Sequence, residues 1–274
     1  MTITYHHDLD QGSEAWLAAR MGVLTASQVK LIFNSSSHIQ CGAKLKSGAD
    51  CSRSAEYDFK TCKQHRAQEE TAIQNDAEIK FSNNDKTNAH VFDIAAQRIT
   101  RYIEPQFIGD DMLRGMEDET YAREKYEEKD APVTECGFIT NDKFGFTLGY
   151  SPDGLVGDDG LIEIKSRMQK HQLATIAAGE VPAEYMMQLQ TGLLITERKW
   201  IDFISYCGGM PMWVCRVYPD AAIQSAIIDA ATDFEASVRG VISAYEAAII
   251  APGARAYPTE RRADFRDMQE GEYA

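Results

Sequence analysis

The strongest candidate for a catalytic site in this sequence consists of Asp153, Glu163 and Lys165. Residues 161–165 alternate apolar and polar types, so a strand there would turn one face to a core and project Glu163 and Lys165 together on the other. The turn sequence at 158–160 (Asp-Asp-Gly) would fold the chain back and bring Asp153 alongside Glu163. Two carboxylates and an ammonium in one small site suit Mg²⁺ and an attacking water. The pattern is short, and by itself it also fits a surface hairpin with solvated charges.

A second set of candidate residues lies between positions 16 and 27. Ser13, followed by apolar residues at Trp16 and Leu17, predicts a short capped helix that ends near Gly22, and Thr25 or Ser27 suits the start of a second helix. Arg20 and Ser27 would then flank a helix amino terminus, where main-chain N–H groups and the helix dipole favour an anion. The simpler alternative is a surface charge and an ordinary polar helix residue.

A third set, Cys41, Cys51, Cys62 and His65, forms a C-x9-C-x10-C-x2-H pattern in a segment rich in Gly, Ser and Lys. Three thiolates and one imidazole would complete a closed tetrahedral shell for a structural Zn²⁺ ion. The alternative is three unrelated thiols and a surface histidine. Between Cys41 and position 66 there are six basic and three acidic residues. Contact with phosphate groups and docking of a protein are both compatible with that charge.

Four separated motifs occur in an order that carries a family resemblance. They are W-x3-R-x-G-x2-T-A-S from Trp16, G-x3-E from Gly115, S-P-D-G…E-I-K over residues 151–165, and Y-x2-Q-x-Q from Tyr185. Together they resemble the PD-(D/E)xK nucleases, specifically the phage lambda exonuclease and viral alkaline exonuclease group with its YqaJ-type viral recombinases. The Cys3His segment, which resembles a zinc knuckle, is a departure from that group.

The resemblance implies a metal centre and a catalytic set. It implies two Mg²⁺ ions, for which Mn²⁺ can substitute, held by three carboxylates and one main-chain carbonyl: Asp153, Glu163, Glu119 and Ile164. Glu117 is the fallback for Glu119, because spacing alone does not separate the acidic residues of that helix. Lys165 would orient or deprotonate the nucleophile, and Gln188 would orient water or phosphate beside it. Arg20 and Ser27 would hold the 5′-phosphate of a DNA end.

By the same resemblance, the expected activity is degradation of one strand of linear double-stranded DNA in the 5′-to-3′ direction. This would leave 3′ single-stranded tails for phage-type recombination, with a single-strand annealing protein as partner and a ring-shaped homotrimer as the assembly. Two alternatives stay open: a structure-specific or endonucleolytic nuclease of the same fold, and a catalytically silent protein that binds DNA ends.

Length and composition set the frame for these sites. The chain has 274 residues, 44% of them hydrophobic, which is enough for a sizeable core. We expect a mixed α/β, restriction-endonuclease-like core with a central mixed sheet in which residues 136–165 form an antiparallel meander. The nuclease domain would comprise 1–37 and 88–250, interrupted by a zinc-binding insertion at 38–87 and followed by a polar tail at 251–274.

The net charge of −14 argues against nonspecific coating of nucleic acid but permits a local basic groove with carboxylates at its floor. No apolar run resembles a signal peptide or a membrane span, so a cytoplasmic protein of a phage or prophage host, with no membrane partner, is expected. In that compartment the six cysteines are expected to be thiols or metal ligands.

Overall fold

A computed structural model describes residues 2–33, 43–49, 51, 61, 63–68, 81–82, 84–105 and 109–261. The α-helices in this part of the chain are α1 Glu14–Arg20, α2 Asp85–Thr100, α3 Asp110–Lys129, α4 Gln169–Ala178, α5 Ala183–Thr196 and α6 Ala221–Ile249. The strands are β1 Ile3–His6, β2 Leu24–Thr25, β3 Phe138–Asn141, β4 Leu148–Tyr150, β5 Gly154–Val156, β6 Gly160–Ser166, β7 Trp200–Tyr206 and β8 Trp213–Val217.

The strands form two mixed four-stranded sheets, in the orders β1-β3-β4-β2 and β5-β6-β7-β8. Helices flank both sheets, which confirms the predicted α/β class. The prediction that residues 136–165 form one antiparallel meander is wrong, because β4 has β3 on one side and the short, parallel β2 on the other. No edge of β4 is left for β5, and the chain instead enters the second sheet after Pro152, a residue with no N–H to donate to a strand ladder.

The predicted hairpin is formed by β5 and β6. Gly154 pairs with Ile162 and Val156 pairs with Gly160, so Asp153 precedes the strand at the level of Glu163. The left-handed glycine of the turn is Gly157, with a φ of +52°, and not the predicted Gly160, which begins β6. Gly160 is required by packing instead, since a Cβ atom there would lie 2.2 Å from the Trp200 ring. The hairpin therefore has one register, and that register brings the two carboxylates together.

Strand β6 is covered on both faces. Ile162 and Ile164 pack in a small cluster with Ala122 and Tyr126 of α3, while Leu161 belongs to the main core shared with α2, α5 and α6. The face that was expected to project charges outward is therefore also buried. This strand pairs in parallel with β7, through a crossover that contains α4 and α5, and a strand in such a position is normally enclosed by helices.

The first helix forms as the sequence predicts. Ser13 caps α1 by accepting a hydrogen bond from the Trp16 N–H, and the chain turns after the helix at Gly22 with a φ of +68°. The prediction of a second helix that starts at Thr25 or Ser27 is wrong for the described residues. Thr25 lies in β2, and only a 3₁₀ turn, Val29–Leu31, follows.

Helices α2 and α6 pack against each other, and α6 also packs against α5. The Arg98 guanidinium donates to both carboxylate oxygens of Glu235, at 2.8 and 2.6 Å, and its Nε donates to the Gly22 carbonyl at 2.8 Å. This clamp ties both helices to the loop that follows α1.

The described part of the inserted segment is small. Residues 43–49 contain a tight turn, after which Cys51 donates its N–H to the Ala43 carbonyl, and the Cys51 side chain is buried. His65 lies in a 3₁₀ segment, Lys63–Gln68. Cys41 and Cys62, the other two predicted zinc ligands, lie outside the described residues.

Within the described residues, none of the helices has the length and apolar character that crossing a membrane requires.

Candidate active site

Glu163 is the centre of the candidate site. It is 2% exposed and accepts hydrogen bonds from three different elements. Its Oε2 accepts from the Tyr150 hydroxyl of β4 at 2.8 Å, and its Oε1 accepts from Lys165 Nζ at 2.6 Å and from Gln188 Nε2 of α5 at 2.5 Å. A buried carboxylate with three donors has a fixed orientation.

Asp153 lies opposite Glu163 across the hairpin, as predicted. Its Oδ2 accepts from the Ile164 N–H at 2.5 Å. Burial raises the pKa of Asp153 well above its usual range, and the negative charges of Glu163 and Glu119 raise it further. Two residues of one hairpin and one from α3 thus contribute negative charge to the same small region.

Glu119 is the α3 residue that approaches this region. Burial raises its pKa and the Arg123 guanidinium lowers it, while the charge of Glu163 raises it again. Arg123 donates to Glu119 Oε1 at 2.5 Å and to the Asp153 carbonyl at 3.0 Å, so it joins α3 to the start of the hairpin. Glu117, the fallback, is exposed.

Lys165 and Gln188 flank Glu163. Burial lowers the pKa of Lys165, but the charges of Glu163 and Asp153 outweigh that effect and raise the pKa above its ordinary value. Lys165 is therefore a cation in this arrangement, and its Nζ also lies 5.7 Å from the centre of the Tyr185 ring. Gln190, two positions after Gln188, is turned away from Glu163 and bonds to the main chain of Tyr218 and Asp220.

The donor set fits a divalent cation. In the described part of the chain no three Asp, Glu, His or Cys side chains converge as a metal site, and each of these carboxylates accepts a hydrogen bond from a protein donor. The negative charge of Glu163 nevertheless raises the pKa of both Asp153 and Glu119, in addition to the effect of burial. Hard oxygen ligands that carry unbalanced negative charge in a buried site are those that Mg²⁺ prefers.

Arg20 forms a separate cationic pocket next to the hairpin. Its guanidinium stacks on the Trp16 ring at 4.1 Å and donates to Ser151 Oγ at 2.9 Å and, at 3.5 Å, to Thr25 Oγ1. Burial alone lowers the pKa of Arg20 to about 10. Among the described residues no carboxylate lies within ion-pair distance of it. A buried guanidinium without a counter-charge is suited to an anionic ligand.

Ser27 is exposed and connects to this pocket through Thr25, with the two hydroxyl oxygens 3.4 Å apart. The predicted reason for an anion site, a helix amino terminus between Arg20 and Ser27, is wrong, since β2 and a 3₁₀ turn occupy that place. The two side chains lie on one short stretch of chain, and the pocket depends on side chains instead of a helix dipole.

Tyr150, Ser151 and Arg123 are parts of the site that the sequence did not reveal. Tyr150 and Ser151 stand directly before the Pro-Asp-Gly of the hairpin, so proximity to Asp153 was the available signal. Arg123 follows Glu119 by four residues, the spacing at which helical side chains meet. Nothing in the sequence indicated that Ser151 would contact the Arg20 guanidinium.

Comparison with known proteins gives the family. The model of the YqaJ-like viral recombinase domain matches residues 15–199, which include α1, α3, the hairpin and α5. The chain belongs to the YqaJ-like viral recombinase family. No curated protein sequence matches it.

Two solved structures are similar over nearly their whole length. The alkaline exonuclease LHK-Exo from Laribacter hongkongensis is 28% identical, with a TM-score of 0.63 over 85% of this chain and 96% of that one. LHK-Exo in complex with dAMP is 28% identical, with a TM-score of 0.64 over 87% of this chain and 100% of that one. Together with the family, these neighbours confirm the predicted fold and the prediction of an exonuclease enzyme.

Proposed function

We propose that this YqaJ-like enzyme is an Mg²⁺-dependent exodeoxyribonuclease that degrades one strand of linear duplex DNA from its 5′ end. The observation that carries the proposal is the position of the Arg20 pocket beside the carboxylate cluster. Ser151, which accepts from Arg20, is two residues from Asp153. Two residues of extended chain span about 7 Å, close to the distance between neighbouring phosphates along a strand.

Asp153, Glu163, Glu119 and the Ile164 carbonyl would hold two Mg²⁺ ions, which when bound activate water and stabilise charge on the phosphate. Lys165, as a cation, would donate a hydrogen bond that orients the attacking water or the phosphate. Gln188 would keep Glu163 in place and present its amide to the same phosphate. Arg20 and Ser27 would bind the terminal 5′-phosphate, so that the scissile bond one nucleotide further lies at the carboxylates.

Three features of the biological setting are part of the same proposal. The product would be duplex DNA with a 3′ single-stranded tail, and a single-strand annealing protein would be the partner that receives it. The assembly would be a homotrimer, and the site of action the cytoplasm of a bacterial host. The family, whose members are viral recombinases by description, supports this setting.

The domain limits and the zinc module belong to the proposal as well: a nuclease domain at 1–37 and 88–250, a zinc-binding insertion at 38–87, and a polar tail at 251–274. Cys41, Cys51, Cys62 and His65 would bind one structural Zn²⁺. The buried Cys51 side chain and its main-chain hydrogen bond to Ala43, beside the turn at 43–49, support this role for one of the ligands.

The activity is tested by digesting linear duplex DNA in Mg²⁺ with 5′-phosphorylated or 5′-hydroxyl ends, alongside a covalently closed circle. We expect phosphorylated ends to be lost faster and the circle to stay intact. Cutting of the circle would favour the endonuclease alternative. Absence of any cutting, with DNA ends still bound, would favour the catalytically silent alternative.

Two variants assign the roles. Lys165→Ala is expected to reduce cleavage at least ~100-fold while end binding persists, because removal of the cation leaves the carboxylates in place. Arg20→Gln is expected to act mainly on phosphorylated ends and to bring their rate close to that of hydroxyl ends. Equal loss on both kinds of end in the Arg20 variant would contradict the phosphate pocket.

The zinc module is tested by native mass spectrometry of reduced, freshly purified protein. We expect one Zn²⁺ per chain in the unchanged protein and none in Cys51→Ser. A matched control, Cys136→Ser, alters a buried cysteine of the nuclease domain and should keep the ion. Protein without zinc would contradict the module and leave the nuclease proposal standing.

A further inference from the structure

A cavity of about 410 Å³ is lined in part by the loop that follows Arg20. Its lining comprises the loop Met21 to Val23, the turn at 145–147, and charged side chains of α6 and of the end of α2. These side chains are Arg98, Arg101, Glu235 and Arg239. They come from sequence positions more than a hundred residues apart, so only the packing of α2 against α6 brings them together.

The inner wall of the cavity is electrically neutral. Arg98 directs both terminal nitrogens to Glu235 and its Nε to the Gly22 carbonyl. Glu235 is 3% exposed and is fully matched by this guanidinium. Neither residue has charge left over for a ligand, and the pair serves as a rigid wall.

Arg101 and Arg239 behave differently. Both are exposed, both line the cavity, and among the described residues neither has an acidic partner within ion-pair distance. Arg101 caps α2 in a left-handed conformation with a φ of 54°, and a cation at a helix carboxyl terminus interacts favourably with the helix dipole. That local explanation does not extend to Arg239, which lies well inside α6.

The cavity therefore carries two uncompensated positive charges in a chain whose net charge is −14. Guanidinium groups without carboxylate partners are the usual protein contribution to phosphate binding. Both side chains line the same cavity of about 410 Å³.

The cavity also lies close to the proposed end-binding pocket. Met21 to Val23, which line it, follow Arg20 directly in the chain. The loop between α1 and β2 therefore borders both the Arg20 pocket and the cavity.

We propose that Arg101 and Arg239 form a second phosphate site, which binds the backbone of duplex DNA beside the end that Arg20 holds. This inference rests on the proposed nuclease function and extends it to a contact away from the carboxylate cluster. Backbone contacts of this kind set the position of the duplex without reading its sequence.

The test compares the salt dependence of binding for a short 5′-phosphorylated duplex, with Ca²⁺ in place of Mg²⁺ and intact DNA verified on a gel. The proteins are the unchanged chain, Arg101→Gln/Arg239→Gln, and a control, Lys129→Gln/Lys199→Gln, which removes the same charge from exposed lysines that already pair with Glu128 and Asp159. Thermal melting verifies that all three fold.

We expect the arginine variant to lower the slope of log K against log salt by at least ~0.9, the contribution of one phosphate contact, between about 50 and 200 mM salt. The control should keep the original slope. Equal slopes for all three proteins would overturn the second phosphate site. An unchanged slope together with lost binding of inorganic phosphate would also overturn it, since the cavity would then hold a free anion and not DNA.

The same experiment separates the two proposals. If the unchanged protein binds no duplex end, the proposed function fails. If it binds and the arginine variant matches the control, only the second site fails.

Discussion

The Tyr150 hydroxyl is the only donor to Glu163 Oε2 among the described residues, and the ring is fully buried. Burial and the charges of Glu163 and Asp153 raise the pKa of Tyr150 well above its ordinary value, so the phenol stays protonated. It therefore remains a hydrogen-bond donor. We infer that it positions Glu163 without itself reacting.

Tyr150→Phe should reduce exonuclease activity by roughly 10–100-fold, the usual effect of losing a hydrogen-bond partner of a metal ligand, which is the role proposed for Glu163. A lower apparent affinity for Mg²⁺, measured as a higher metal concentration at half-maximal rate, should accompany the loss. Tyr126→Phe is the matched control. It removes a 2.7 Å hydrogen bond to another buried carboxylate, Asp202, which Arg216 still holds through two bonds.

The control should cost about 1–2 kcal/mol of unfolding free energy and leave the metal dependence unchanged. If both variants lose activity to the same degree, the effect of Tyr150 is one of general stability and the positioning role is wrong.

At the scale of elements, helix α5 and strand β4 approach each other where Gly192 faces the Tyr150 ring. A Cβ atom at Gly192 would lie 2.9–3.3 Å from three ring carbons, so either the ring or the helix must move. Gln188, on the same helix, also bonds to Glu163. The distance between these two elements therefore controls two of the three donors to Glu163.

Gly192→Ala should lower the unfolding free energy by about 1–3 kcal/mol through overpacking, despite the better helix propensity of alanine. Gly240→Ala in α6 is the control, because a Cβ there meets no atom within 4 Å. The control should be neutral or up to about 1 kcal/mol more stable. Chemical denaturation measures both, and a stabilised Gly192 variant would contradict the tight approach of α5 to β4.

At the scale of the whole molecule, the Arg98–Glu235 pair joins α2, α6 and the loop after α1. Glu235 is 3% exposed and Arg98 is 26% exposed. Removing one member of such a pair leaves a buried charge without compensation, whereas removing both does not.

Arg98→Met should therefore cost about 3–5 kcal/mol of unfolding free energy, and Arg98→Met/Glu235→Leu should recover much of the loss. Lys125→Met, which breaks an exposed pair with Glu128 on α3, should cost less than about 1 kcal/mol. Urea unfolding of the three variants gives the comparison. A double variant no more stable than Arg98→Met would show that the loss of stability comes from losing the pair itself and not from the uncompensated charge of Glu235.

The local parts of this protein can be predicted from its sequence. Alternating residues and an Asp-Asp-Gly turn predict the hairpin, and its register places Asp153 beside Glu163, because side chains on a strand repeat every two residues. Ser13 and Gly22 predict the limits of α1 for similar local reasons. Glu119 and Gln188 were selected by resemblance, and the structure brings both towards Glu163.

The arrangement of the sheets and the burial and charge environment of the site residues depend on the tertiary structure. The division into two sheets follows from β2, a two-residue strand too short for a pattern to reveal, which takes the free edge of β4. The burial of Glu163 and the hydrogen bond from Tyr150 depend on elements distant in the chain. The same holds for the absence, among the described residues, of a carboxylate at Arg20 and for the position of Arg101 and Arg239 on one cavity. Local sequence fixes periodicity and turns, whereas desolvation and charge balance arise when separate elements pack together.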